Sequence, residues 1–300
     1  MRALTLVGLL VSGILIAGLV LSVRPVPAPP KLPAAAGPPV ATSVADSAPD
    51  LGSLQDDVGS VLVVSWRGTS YPPGLLPLLQ DGRVGGVLLF SSNFDGPAGL
   101  KALTDSLHQF TSDACLDHPI LVMLDQEGGQ VNRVKADFAP PSQLAVGAGG
   151  AEHVRAVERA SAIGLHELGV GLNLAPVADV RTNPRDQVIG DRSFGSNPEA
   201  VPPLVGAAVD GLHDGGVGAT LKHFPGLGGA AGDPHVAIPT DSVSEAQWER
   251  VQMPAFQAGI AAGADAIMTT AVLCARTGRR HHAGDVLCPR CEPSAHAAGL

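Results

Sequence analysis

The sequence predicts an α/β fold, a parallel sheet of about six strands covered by helices. Two observations carry this reading. Short, wholly apolar runs recur along the chain past residue 51, and amphipathic helical patterns lie between them. A third observation bears on the architecture. Polar residues gather just beyond the apolar runs, at Asp125, Asp179 and Lys222-His223, on the side where barrel enzymes keep their sites. The strand count suits either a doubly wound sheet or an incomplete eight-stranded barrel. No glycine fingerprint follows the first strand, which makes a dinucleotide-binding fold the weaker of the two.

Taken in order, "VLVVSW" (61–66), "GGVLLF" (85–90) and "PILVML" (119–124) read as buried strands, because strands covered on both faces lose their polar alternation. Between the second and third, Leu100, Leu103, Leu107 and Phe110 fall on one face of a helix. "GLNLAPV" (171–177) is the fourth strand. It is followed by Val201, Leu204, Val205, Ala208 and Leu212, a second helical stripe closing at Gly215-Gly216, where a C-cap is expected. "GATLKHF" (218–224) is the fifth strand. Ser244 with Gln247 forms a capping-box signature ahead of a helix that Pro254 should kink or split. "DAIMTTAV" (265–272) is the sixth strand.

The chain of 300 residues divides into four parts. Residues 1–23 place Arg2 before a long uncharged apolar run, the pattern of an export signal. The run also reaches the length of about 20 residues that an uncleaved membrane anchor needs. Residues 24–50, crowded with Pro and Ala, read as an extended spacer. Residues 51–272 are the folded domain and 273–300 a tail without helical or strand periodicity. A net charge of −9 and an aromatic content of 3% exclude a nucleic-acid binder, which needs a basic patch and stacking surfaces.

Four clusters could carry chemistry. In "LDQEGGQVNR" (124–133), Gly128-Gly129 lets the chain turn so that Asp125 and Arg133 can face one pocket; the bland alternative is a weak surface ion pair. In "APVADV" (175–180), Asp179 is a cap or turn former if taken alone. In "GDRSFG" (190–195), Arg192 is an ordinary loop arginine if taken alone. The fourth, "KHFPGLGGAAGDPH" (222–235), sets Lys222 and His223 at a strand end, where both can donate to hydroxyls. It also sets Asp233 two residues from His235, and a carboxylate beside an imidazole suits a general acid/base near neutral pH. His223 and His235 lack the i, i+4 helical spacing of metalloprotease zinc sites.

Together and in this order the motifs resemble the family 3 glycoside hydrolases, in their bacterial β-N-acetylglucosaminidase branch. The matching pieces are "GGVLLF" with Asn93, "DQEGGQVNR", "APVADV", "IGDRSFG", "KHFPGLG" and "DPH" followed by "AIP", over roughly residues 55 to 270. The resemblance implies a TIM-type (β/α)8 barrel, here incomplete, and removal of terminal N-acetylglucosamine from muropeptides or chitin fragments with retention. It implies no cofactor and no metal. Asp125, Arg133, Arg192, Lys222 and His223 would hold the sugar hydroxyls. His235 would be the acid/base with Asp233 as its partner, whereas most retaining glycosidases use two carboxylates. The protein is expected to be a monomer, exported, and to touch a membrane only through its N-terminal segment.

The sequence departs from that family in three places. Leu227 stands where the family has His, Pro234 where it has Ser, and Ala271 near another His. Beyond residue 272 the text no longer resembles the family, so an aberrant tail lacking the aspartate nucleophile is expected, and with it a catalytically dead, sugar-binding remnant as the alternative function. A weaker alternative is a zinc site from Cys274, Cys288, Cys291, His281, His282 and His296; "CPRC" is a true C-x-x-C, but the other spacings match no familiar zinc module.

Overall fold

The computed structural model describes residues 58–114, 119–186, 188–230, 232–234, 236–241 and 243–274, together with a two-residue antiparallel pairing of Leu10–Val11 with Ile14–Leu15. Apart from that pairing and Leu273–Cys274, the residues of the expected export signal, proline-rich spacer and zinc-binding tail lie outside the described residues, as does His235. Among the described residues no helix is long and apolar enough to cross a membrane.

The apolar runs form a single parallel sheet. Its strands are β1 (Val63–Val64), β2 (Gly86–Leu89), β3 (Leu121–Leu124), β6 (Leu172–Asn173), β7 (Gly218–Phe224) and β9 (Ala266–Thr269). A hairpin of β4 (Gln126–Gly128) and β5 (Val131–Asn132) follows β3, and β8 (Thr240–Asp241) pairs in parallel with β10 (Leu273–Cys274) away from the main sheet. Strand order across the sheet is β1-β2-β3-β6-β7-β9, every pair parallel. Space therefore follows chain order. A doubly wound sheet would reverse direction at a switch point, and this one does not; it is six successive strands of a (β/α)8 barrel wall.

The helices are α1 (Leu75–Gln80), α2 (Gly96–Asp113), α3 (Gln143–Gly147), α4 (Ala151–Glu167), α5 (Val201–Asp214), α6 (Glu245–Val251) and α7 (Met253–Ala261). The predicted faces are the buried ones: Leu100, Leu103 and Leu107 on α2, and Val201, Leu204, Val205, Ala208 and Leu212 on α5. Ser244 caps α6 through the anticipated box, its Oγ accepting from Gln247 N at 3.3 Å while Ser244 N donates to Gln247 Oε1 at 3.0 Å. Pro254 lies in the first turn of α7, so the predicted break falls at Gln252.

Each apolar strand serves two cores, because successive side chains point to opposite faces. Val87, Leu89, Val122, Leu124, Ala219 and Leu221 join the large cluster under the helices. Leu88, Met123, Leu172 and Leu174 form a smaller cluster on the other face, flanked by half-buried Val63, Phe90 and Met268. By the same alternation Lys222, next but one to Thr220 on β7, leaves the helix side and turns toward that inner face.

Candidate active site

The site is built where strands end. Asp125 directly follows β3, and the hairpin β4–β5 folds back over it. Gly128 (φ +98°) and Gly129 (φ +57°) make the turn, a backbone region that glycine enters without steric cost. A Cβ on Gly128 would lie 2.0 Å from the Pro141 carbonyl oxygen, so the turn is also closely packed. The consequence is the contact anticipated from the motif: Arg133 Nη2 donates to Asp125 Oδ2 at 3.1 Å. Both side chains are largely buried, which distinguishes the pair from a surface one. The Arg133 guanidinium also lies 5.4 Å from the centre of the Phe90 ring, and its buried Nε has no hydrogen-bond partner.

Lys222 ties β7 to the hairpin. Its side chain is 2% exposed and its Nζ lies 2.7 Å from Asp125 Oδ1 and 2.5 Å from Glu127 Oε1. Asp125 and Glu127 are two apart in extended chain and so share a face. Arg192, on a 3-10 turn Gly190–Arg192, grips Glu127 with two bonds: Nε to Oε2 at 2.7 Å and Nη2 to Oε1 at 2.8 Å. This bidentate fork is the strong form of the arginine–carboxylate contact. His223 Nε2 lies 3.3 Å from Arg192 Nη2 and its Nδ1 lies 2.7 Å from Asp179 Oδ2. Arg192 can only donate and a carboxylate only accept, so these partners assign the hydrogen to Nδ1. Asp179, wholly buried, also accepts from Leu227 N at 2.6 Å.

A continuous chain of charges results: Arg133, Asp125, Lys222, Glu127, Arg192, His223, Asp179. Three carboxylates face three permanent cations with a neutral imidazole between them. Burial opposes ionisation of Asp125, but Lys222 and Arg133 outweigh it and hold the carboxyl at about 2. Burial likewise opposes the charged form of Glu127, and Lys222 and Arg192 overcome it and hold the carboxyl below its ordinary value. Burial would lower Lys222, yet Asp125 and Glu127 raise it. Asp125, Glu127 and Lys222 are thus held in their charged forms, within a preorganised set of donors and acceptors of the kind that positions hydroxyl groups.

The structure brings five anticipated residues together: Asp125, Arg133, Arg192, Lys222 and His223. Asp233 is half-buried on the glycine-rich loop, where its carbonyl accepts from Val236 N at 3.0 Å and Ala237 N at 3.1 Å; its partner in the anticipated dyad, His235, is outside the described residues. Two members lie outside the anticipated sugar-holding set. Glu127 lies inside the quoted "DQEGG" but is not singled out by it; its spacing of two from Asp125 is the available signal. Asp179 is singled out just beyond an apolar run, though as a cap or turn former if taken alone; the structure places it beyond the end of β6, hydrogen-bonded to His223. Leu227, where the resemblance has a histidine, is buried with Val177, Ile189, Ala230 and Val272.

Comparison with known proteins agrees with the motifs. Residues 73–287 match the Glycosyl hydrolase family 3 N terminal domain. A beta-hexosaminidase of Methylobacillus flagellatus is 38% identical over 198 residues, 63% of this chain and 55% of that protein. One from Xylella fastidiosa strain M23 is 35% identical over 225 residues, 71% of this chain and 64% of that protein. This chain therefore spans less than two thirds of either relative. Among solved structures, a glycoside hydrolase family 3 beta-N-acetylglucosaminidase from Paenibacillus sp. FPU-7 superposes with a TM-score of 0.70 at 34% identity, covering 74% of this chain and 42% of that one. Native NagZ from Neisseria gonorrhoeae gives 0.63 at 29% identity, covering 71% and 63%.

Proposed function

The chain belongs to glycosyl hydrolase family 3, and on that footing we propose that it binds and hydrolyses terminal non-reducing N-acetylglucosamine residues, from muropeptides or chitin-type oligosaccharides, with retention. The observation that carries this reading is the charged chain at the strand ends, which supports Asp125, Arg133, Arg192, Lys222 and His223 as the groups that hold the sugar hydroxyls. In this reading His235 protonates the leaving oxygen as the glycosidic bond breaks and the sugar passes to a carboxylate nucleophile. His235 then activates the water that releases the sugar, with Asp233 orienting the ring; retention requires such a carboxylate in addition to the residues named here. The relatives' names support the sugar; NagZ from Neisseria gonorrhoeae was solved with N-trifluoroacetyl-D-glucosamine.

A second reading, sugar binding without turnover, draws on one observation. Among the described residues each carboxylate of the cluster, Asp125, Glu127 and Asp179, is already engaged by cations or N–H donors, so none stands as a free nucleophile. One experiment separates the two: assay the full 300-residue chain with a chromogenic N-acetylglucosaminide, and titrate it with N-acetylglucosamine. Turnover abolished by His235→Ala supports the enzyme with His235 as acid/base, and turnover indifferent to that change overturns the histidine's role. Saturable binding without turnover supports the second reading, and neither signal overturns both. We further propose export through residues 1–23 and action as a monomer. Alkaline phosphatase fused after residue 50 should be active only outside the cytoplasm, and an inactive fusion rejects export.

A further inference from the structure

β6 ends at Asn173, but the chain beyond it still pairs with β7 as far as Ala178, whose N–H donates to Lys222 O at 2.6 Å. The buried N–H and C=O groups of Val177 and Val180, on either side of Ala178 and Asp179, need partners from elsewhere. Two glutamine side chains supply them. Val177 N donates to Gln143 Oε1 at 2.8 Å while Gln143 Nε2 donates to Val177 O at 3.0 Å. Val180 N donates to Gln252 Oε1 at 2.8 Å while Gln252 Nε2 donates to Val180 O at 2.9 Å. Each carboxamide pairs with a peptide group as a neighbouring strand would, and Asp179 lies between the two clamps. Asparagine and glutamine are the only side chains that offer this donor and acceptor together in every protonation state.

Gln252 does more than clamp one loop. It is 2% exposed, at the junction of α6 and α7, in the middle of the i, i+4, i+8 series Trp248, Gln252, Phe256. All three meet the segment carrying Lys222 and His223. Trp248 Nε1 donates to Pro225 O at 2.6 Å. The rings of Trp248 and Phe256 stand edge-on to Phe224, with centroids at 6.3 and 5.4 Å. A Cβ on Gly226 would come within 2.9 Å of the Gln252 carboxamide, so that loop rests directly on it. One helical stripe thus supports both partners of the Asp179–His223 hydrogen bond.

We propose that Gln252 is a positioning residue that sets the tautomer of His223. By fixing Val180 on one side and Gly226 on the other, it holds Asp179 Oδ2 against His223 Nδ1, leaving the Nε2 lone pair toward Arg192 and the pocket. Its bearing on catalysis rests on the hexosaminidase reading; the tautomer itself does not.

The test is nitrogen-15 NMR of the histidine rings in the full chain without sugar. The wild type should show His223 with a hydrogen-bonded Nδ1–H and an unprotonated Nε2. Gln252→Met, close in shape but with neither donor nor N–H acceptor, should lose the Nδ1–H signal or split it between tautomers. Gln252→Glu, which keeps the acceptor for Val180 N and loses the donor, is the second variant should the first fail to fold. Leu165→Ala, a core truncation on α4, should lower the melting temperature without moving the His223 signals. Unchanged His223 signals in the Gln252 variants, or an equal change in Leu165→Ala, overturn the proposal. Where turnover is present, Gln252→Met should lower kcat up to about a hundredfold with KM little moved. Loss of turnover in the wild type with intact tautomer signals would fault the functional reading alone.

Discussion

Lys222 is the residue on which the site depends most. It is wholly buried yet charged, and Asp125 and Glu127 take up its ammonium from two strands. Removing Lys222 leaves Asp125 with Arg133 and Glu127 with Arg192, each short of one cation, at a cost of up to about 3–5 kcal/mol. Lys222→Met should therefore lower unfolding stability by that order in a denaturant titration, and a loss below about 1 kcal/mol would mean the carboxylates find other cations. Acid acts through the same contacts. Lys222 and Arg133 hold the folded Asp125 carboxyl at about 2, against 3.8 for an ordinary aspartate. Its contribution, on the order of 2 kcal/mol, is thus present above the unfolded pKa and lost as pH falls through this window. An Asp125→Asn variant should lack that part of the acid limb. That Asp125, Arg133, Arg192, Lys222 and His223 come together was legible because motifs repeat residue types in order. Glu127 was not, because it reads as one more loop acid until the hairpin shows that it shares a face with Asp125.

Elements were legible where their periodicity was undiluted. The stripe of α2 and the capping box of α6 place those helices from local chemistry alone. α4 escaped because its buried face contains Glu158, Ser161 and Gly164 among Val154, Ala162 and Leu165, which blurs the apolar pattern. The fourth strand is shorter than its apolar run: past Asn173 the chain keeps scattered backbone bonds to its neighbours as far as Ala178, while Val177 and Val180 are paired by the Gln143 and Gln252 carboxamides, and no sequence period reports side chains that arrive from 34 and 72 residues away. The loop bearing "PGLGG" meets the Asp179 loop with no room between them. A Cβ on Gly228 would lie 2.0 Å from Val180 O and 2.5 Å from its carbonyl carbon, both backbone atoms that cannot swing aside. Gly228→Ala should push the loops apart and break the bond from Leu227 N to Asp179 Oδ1. A hydrogen bond to a charged group is worth about 1.5–3 kcal/mol, so Leu227 amide exchange should accelerate roughly tenfold to a hundredfold. Unaltered exchange would show that the loops yield elsewhere.

At the scale of the whole molecule, sheet order was the feature least available to sequence, because local patterns specify strands and not their neighbours. Only the monotonic succession of parallel pairs separates a barrel wall from a doubly wound sheet. The same packing imposes a cost where α4 meets α5, on the buried face of α4. Glu158 on α4 is 3% exposed, its Oε2 has no hydrogen-bond partner, and burial pushes its carboxyl up to about 8 from 4.5. The folded state thus keeps a proton that the unfolded chain releases at its ordinary pKa. Between these two values the folded form binds more protons than the unfolded one, so stability falls as pH rises through that window and levels off above it. Glu158→Gln mimics the protonated group at every pH. Its melting temperature should equal that of the wild type near pH 4, exceed it increasingly toward pH 8, and then run parallel. The full difference is on the order of 5 kcal/mol as an upper bound. Melting curves of both proteins from pH 3 to 9 measure this directly. A constant offset between them, or a gap that closes toward alkaline pH, would mean that Glu158 is ionised in the fold and finds a partner there.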